Sequence, residues 1–106
     1  MSRYRLSRQA HADLDDIWSY IGIEKNRPAA AKRVIGRLFE TFERLAEQPE
    51  LGTRRDDLRP NLRVFFPRKP AQNYLVFFYP MHEGIEVNTV LHAARDYPTL
   101  FGGGDE

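Results

Sequence analysis

The chain has 106 residues, 42% hydrophobic and 29% charged, with a formal net charge of +1. That balance excludes a disordered chain and fits one small soluble domain, and the absence of cysteine excludes disulfides and thiolate metal sites. No apolar run approaches the roughly 20 residues of a membrane span, and the polar start "MSRYRLSRQ" lacks the apolar core of a secretory signal, so a cytoplasmic protein with no membrane partner is expected.

"YRLS" at residues 4–7 alternates apolar and polar positions like a short strand, and Ser7 is a good N-cap for a helix. In "RQAHADLDDIWSYIGIEKN" the residues Ala10, Leu14, Ile17, Trp18 and Ile21 fall on one helix face. Asp13, Asp15 and Asp16 are placed by this spacing on or beside the solvent face, where the helix dipole tolerates carboxylates near the N-terminal half. Asn26-Arg27-Pro28 breaks the pattern, and Pro28 suits the first turn of a second helix. Ala31, Ile35, Leu38, Phe42 and Leu45 repeat at alternating spacings of four and three, with Val34, Phe39 and Ala46 widening the stripe, until Gln48-Pro49 ends it. The short link makes the two helices an antiparallel hairpin.

"PELGTRRDDLRPN" reads as a polar loop. Three strands are expected after it, at 62–66, 74–79 and 85–91, separated by the turn-rich "PRKPAQ" and "PMHEG". Such short links favour an antiparallel meander. "YLVFFY" is apolar on both faces, which places it centrally and covered on both sides. The helix hairpin covers one face. For the other, only the C-terminal segment or a second protein remains. The core is expected to include Leu14, Ile17, Trp18, Leu38, Phe42, Leu45, Val76 and Phe78.

The charge is uneven. Residues 54–69 carry six basic groups (Arg54, Arg55, Arg59, Arg63, Arg68, Lys69) against Asp56 and Asp57, whereas residues 70–106 carry one basic and five acidic groups. A basic segment beside aromatic strands suits phosphates or an acidic protein partner, or is simply a solvated loop. The acidic C-terminal third argues against autonomous DNA binding, which shows a broader basic face. Only three histidines, His11, His82 and His92, are present and they are scattered, so neither a metal site nor a cofactor is expected. "VLHAARDYP" at 90–98 begins as a strand and then sets His92, Arg95, Asp96 and Tyr97 close together. These suit either an acid–base site on a phosphate ester or a polar rim that only binds.

"DLDDIWSYI", "LAEQPELGTRRDDL", "LRVFF", "YLVFFY" and "VLHAARD", in this order, resemble the toxin half of ParDE toxin–antitoxin modules, within the wider RelE/ParE superfamily. The resemblance runs from Tyr4 to Asp96. It implies an α+β fold of β-α-α-β-β-β order, an antiparallel sheet packed against an α-helical hairpin, which agrees with the periodicity. Residues 1–101 would form the single toxin domain and 102–106, "GGGDE", a flexible tail. The resemblance further implies inhibition of DNA gyrase by binding and neutralisation by a small ParD-like antitoxin that folds as it wraps the toxin. DNA would be contacted only through that antitoxin.

The RelE branch of the superfamily cleaves messenger RNA on the ribosome, which requires a base, a cation and an acid around the scissile phosphate. Arg63 stands where RelE-like enzymes carry a strand arginine, and His92, Arg95 and Tyr97 lie near their C-terminal positions. The lysines those enzymes place before the arginine are absent here, and arginine rarely gives up a proton. Gyrase inhibition is therefore the leading reading, with Arg63, His92, Arg95, Tyr97, Leu100 and Phe101 as the target-binding set. An mRNA endoribonuclease using Arg63, His92, Arg95 and Tyr97 is the alternative, and a non-toxic interaction module the second. A bland role remains open for single residues: a lone strand-end histidine is more often structural than catalytic, and Arg63 could fix the 50–61 loop.

Overall fold

The computed structural model of the protein describes residues 3–94. Arg95, Tyr97, Leu100 and Phe101, and the expected tail at 102–106, lie outside the described residues. Strand β1 (Arg3–Leu6) leads through Ser7 into helix α1 (Arg8–Trp18). The Ser7 hydroxyl accepts the Ala10 amide at 3.0 Å, satisfying one of the amides that a helix start leaves unpaired. From Ser19 to Glu24 the helix widens into a π turn, with the Lys25 amide bonded to the Tyr20 carbonyl at 3.0 Å. Asn26, at φ 55°, reverses the chain. Helix α2 (Pro28–Glu47) then starts on its proline and stops where the sequence predicts.

Strands β2 (Thr53–Arg54), β3 (Arg63–Phe65), β4 (Tyr74–Met81) and β5 (Gly84–His92) complete a five-stranded sheet in the order β1-β5-β4-β3-β2. The strands β3 to β5 pair antiparallel as expected and β2 adds antiparallel to β3, but β1 runs parallel to β5, so the sheet is mixed rather than wholly antiparallel. The two helices between β1 and the meander carry the chain back across the sheet, which lets the last strand dock beside the first. Gly84 makes that docking possible. It adopts φ +148°, and a Cβ there would lie 1.6 Å from the Arg3 carbonyl oxygen. Strand β2 escapes sequence reading because two exposed residues in a polar loop carry no apolar pattern.

Both helices pack on one face of the sheet. Leu14, Ile17, Leu38, Phe42, Leu45, Val76 and Phe78 are buried there with Ile85, Val87 and Val90. Trp18, expected among them, is 38% exposed at the margin of the helix pair. It sits one position past Ile17 at the edge of the stripe, so its ring spreads along the hairpin surface instead of entering the core. The other sheet face does not await a partner. Leu75, Phe77 and Leu91 are buried with Val64, and Leu58 and Leu62 from the loop between β2 and β3 pack against them. Leu58 lies among polar residues and reads as loop in the sequence, and Leu62 reads as the start of the following strand. Only the fold shows that they close a second small core.

Asp13 also departs from expectation. Its neighbours Asp15 and Asp16 are exposed, but Asp13 is buried against β5. Its carboxylate accepts the Gln9 side-chain amide at 2.9 Å, the Val90 backbone amide at 2.9 Å and the Thr89 hydroxyl. β5 carries a bulge at this point, because Phe77 faces Thr89 while Phe78 faces Val87 and leaves Asn88 extra. Ser7 completes the attachment, its amide donating to the Val87 carbonyl at 3.0 Å and its hydroxyl to the Asn88 carbonyl at 2.6 Å.

Asp13→Ala is expected to cost about 2–4 kcal/mol, since it strands buried donors on the bulge. Phe42→Ala should cost about 3–5 kcal/mol and Trp18→Ala under about 2 kcal/mol, reflecting full against partial burial. Urea denaturation of the three variants measures the order, and equal losses for Phe42 and Trp18 would place the indole inside the core.

Candidate functional site

Of the residues singled out for target contact, the structure places Arg63 and His92; Arg95, Tyr97, Leu100 and Phe101 lie outside the described residues. His92 ends β5, exposed, with its ring edge-on to Tyr74 at 5.5 Å between centroids. Its Nδ1 accepts the Ala94 amide at 3.2 Å. It borders a groove of about 390 Å³ shared with Gln9, Asp13, Asp16, Tyr20 and Tyr74. Burial, and secondarily the nearby Tyr20, pushes the Tyr74 phenol above its ordinary value of 10.0, so it stays protonated at neutral pH and offers a donor rather than a base.

Arg63 sits elsewhere. It pairs with Phe78, whereas His92 pairs with Tyr74 four residues earlier on β4. Their backbones are therefore separated by roughly 13 Å along the strand and about 10 Å across it, at about 3.3 Å per residue and about 4.8 Å per strand. The half-buried Arg63 guanidinium is also engaged: Nη1 donates to the Gly52 carbonyl at 2.7 Å. Gly52 in turn lies so close to the sheet that a Cβ would meet the Phe78 ring at 2.4 and 2.6 Å. Arg63 thus fastens the loop after α2 to the core. With its guanidinium engaged at Gly52 and its backbone this far from that of His92, Arg63 is not placed beside the histidine.

The basic segment is partly neutralised by its own acids. Arg54 pairs with Asp56 at 2.9 Å and Arg55 with Asp57 at 2.8 Å. The Asn61 amide, and after it Arg54, hold the Asp56 carboxyl below its usual range, and Arg55 does the same for Asp57. These exposed pairs order the loop and reduce the field that six cations would otherwise project.

Two further features went unread in the sequence. On the outer side of the hairpin, an apolar groove of about 500 Å³ runs between α1 and α2, lined by Leu6, Leu14, Trp18, Ile35, Gly36 and Phe39 and edged by His11, Asp15 and Lys32. Trp18 and, further along, the 69% exposed Ile23 extend apolar surface at this end of the hairpin. The signal was available: the apolar stripes are wider than one buried face requires. On the far flank of α2, Arg37, Arg44 and Arg68 surround a notch of about 160 Å³. Asp13 falls beside Ala10, Leu14 and Ile17 on the helix wheel, but a carboxylate there reads as solvated until its donors on β5 are in place. Among the described residues no group of three histidine, aspartate or glutamate side chains is placed to hold a metal ion, and no helix is long and apolar enough to cross a membrane.

A mixed sheet under a helical hairpin, with an apolar groove on the hairpin, defines a small α+β protein. Residues 4–97 match the family described as ParE toxin of type II toxin-antitoxin system, parDE. The chain is similar to Toxin ParE1 of Caulobacter vibrioides, 38% identical over 100 residues that cover 91% of this chain and 94% of that protein. Toxin ParE1 of Mycobacterium tuberculosis is 31% identical over 100 residues, covering 90% and 93%. A solved structure, "Chromosomal ParDE TA system from P. aeruginosa", has the same fold, with a TM-score of 0.67 at 20% identity over 87% of this chain and 96% of the other. The chain belongs to the ParE toxin family and is the toxin component of a ParDE toxin–antitoxin system.

Gly52→Ala should destabilise the fold by about 1–3 kcal/mol through overpacking on Phe78. Arg63→Ala should cost about 1–2 kcal/mol by releasing the Gly52 carbonyl, and His92→Ala should stay within about 0.5 kcal/mol. Thermal and urea unfolding measure all three, and a neutral Arg63→Ala would leave that arginine free for a target.

Proposed function

We propose that this toxin inhibits DNA gyrase by binding it, and that a ParD-like antitoxin neutralises the toxin by occupying the α1–α2 groove. The observation that carries the antitoxin reading is the groove itself. A lone domain with both sheet faces closed still leaves Trp18 and the walls of a roughly 500 Å³ apolar channel in water. A peptide that folds on binding can lay the apolar face of an amphipathic helix into such a channel, with anchors three and four residues apart. An obligate pair of this kind buries more than about 2,000 Å² in total.

Gyrase inhibition by contact rather than catalysis is supported by the chain's place in the ParE family and by the separation of Arg63 from His92. In this reading the segment after β5 supplies the target contacts, with Arg95, Tyr97, Leu100 and Phe101 as anchors and His92 contributing at their edge.

Gly36 offers a clean test of the groove, because a Cβ there meets nothing within 4 Å. Gly36→Gln should leave the helix intact, glutamine being the better helix former, yet fill the channel and weaken antitoxin binding at least about tenfold, or roughly 1.4 kcal/mol. Unchanged affinity by calorimetry would remove the groove from the interface. For the target, deletion of residues 97–106 or Arg95→Ala should abolish inhibition of gyrase supercoiling, whereas His92→Ala should only weaken it. Ribosome-dependent message cleavage that disappears in His92→Ala would instead assign the protein to the ribonuclease branch.

A further inference from the structure

We propose that the notch between Arg37, Arg44 and Arg68 takes a carboxylate side chain of the same antitoxin, so that the antitoxin crosses α2 and is pinned on its far flank. This rests on the groove reading and adds a second, electrostatic anchor to it. The notch encloses about 160 Å³, with Thr41 and the half-buried ring of Phe65 completing its wall. One of its cations is already fixed in place. Arg37 Nε donates to the Lys69 carbonyl at 2.8 Å and Nη1 to Glu40 at 2.7 Å, which holds the guanidinium at the rim. Arg44 and Arg68 are different: among the described residues neither side chain has a hydrogen bond or an ion pair. Two unneutralised guanidinium groups facing one small space form a site for an oxyanion, and planar forks suit a carboxylate in two-point contact.

A protein carboxylate fits better than a nucleic-acid backbone for two reasons. Glu40 already stands in the notch, so the local excess of charge suits a single anion rather than a polyanion. The chain also lacks the broad basic face that tracks successive phosphates, because its C-terminal third is acidic and two of its loop arginines are paired with Asp56 and Asp57. Phe65 supplies apolar contact for the stem of a glutamate.

The position connects the notch to the groove. Ile35, Gly36 and Phe39 line the groove, whereas Arg37, Thr41 and Arg44 line the notch, so the two features lie on opposite flanks of one helix. At about 100° per residue, the exposed ridge between them spans little more than a third of the helix circumference. A chain leaving the groove crosses that ridge within a few residues.

The test is calorimetric titration of the toxin with the antitoxin encoded beside it, at low and at high salt, for wild type, Arg44→Glu, Arg68→Glu and Gly36→Gln. Because Arg44 and Arg68 make no contact of this kind within the described fold, circular dichroism should show both variants folded. Each should weaken binding about tenfold or more and flatten its salt dependence, as loss of a charge pair does. Gly36→Gln should weaken binding and keep the salt dependence. An antitoxin acid-to-arginine exchange that restores binding to Arg44→Glu would identify the partner residue. If Gly36→Gln weakens binding but both arginine variants bind like wild type, the groove reading stands and the notch proposal falls. If none of the three matters, both fall. If the arginine variants keep antitoxin affinity but lose gyrase inhibition or binding to duplex DNA, the notch serves the target or a nucleic acid and the proposal is overturned.

Discussion

The attachment of α1 to the bulge in β5 is the contact on which the rest of the arrangement depends. A bulge exposes backbone groups that the ladder no longer pairs, and here Ser7 and Asp13 take up those groups at Val87, Asn88 and Val90. The same two side chains position the helix, Ser7 by capping its first turn and Asp13 by reaching down from its second. A carboxylate buried among neutral donors is costly unless its oxygens are well supplied with donors, and this one receives three bonds. The angle of α1 on the sheet is therefore set by hydrogen bonds as well as by apolar packing. Everything carried by that helix, from Tyr20 beside His92 to Trp18 on the hairpin, takes its place from this joint.

Closure of both sheet faces shifts where a partner must act. The helix hairpin covers one face, and Leu58 and Leu62 pack on the other, so the apolar middle strand needs nothing from outside. What remains open is the outer side of the hairpin, where the apolar stripes of α1 and α2 are broader than the core can use. An amphipathic helix buries a stripe of limited width, and residues beyond its edge, such as Trp18 and Ile35, line a channel instead. Stability and, in the proposed reading, antitoxin recognition are thus divided across the same two helices.

A similar division separates the arginines. Arg63, Arg54, Arg55 and Arg37 hold loops, each engaged with a carbonyl or a carboxylate of the chain itself. Arg44 and Arg68 hold nothing within the described fold. Charge counted along the chain treats all six alike, although three are paired with carboxylates, one is bonded to a carbonyl and two make no such contact among the described residues.

Much of this protein is determined by residue spacing. The two helical stripes, the Ser7 cap, Pro28 at the start of α2 and the apolar runs of β3 to β5 each express a local rule, and each element forms where its pattern lies. The ordered motifs identify the ParE family for the same reason, since they are those elements read in sequence. Tertiary structure alone decided the rest. It placed β1 parallel to β5, which no local pattern encodes, because strand partners are chosen by how the intervening helices return the chain. It buried Asp13 by supplying donors from a strand 76 residues away, left Trp18 at the edge, and recruited Leu58 from the loop to the second core. It also separated Arg63 from His92, though both lie on neighbours of one strand. Spacing along a chain reports which face a residue shares; what meets that face depends on contacts between distant segments, and those are set only when the whole sheet has formed.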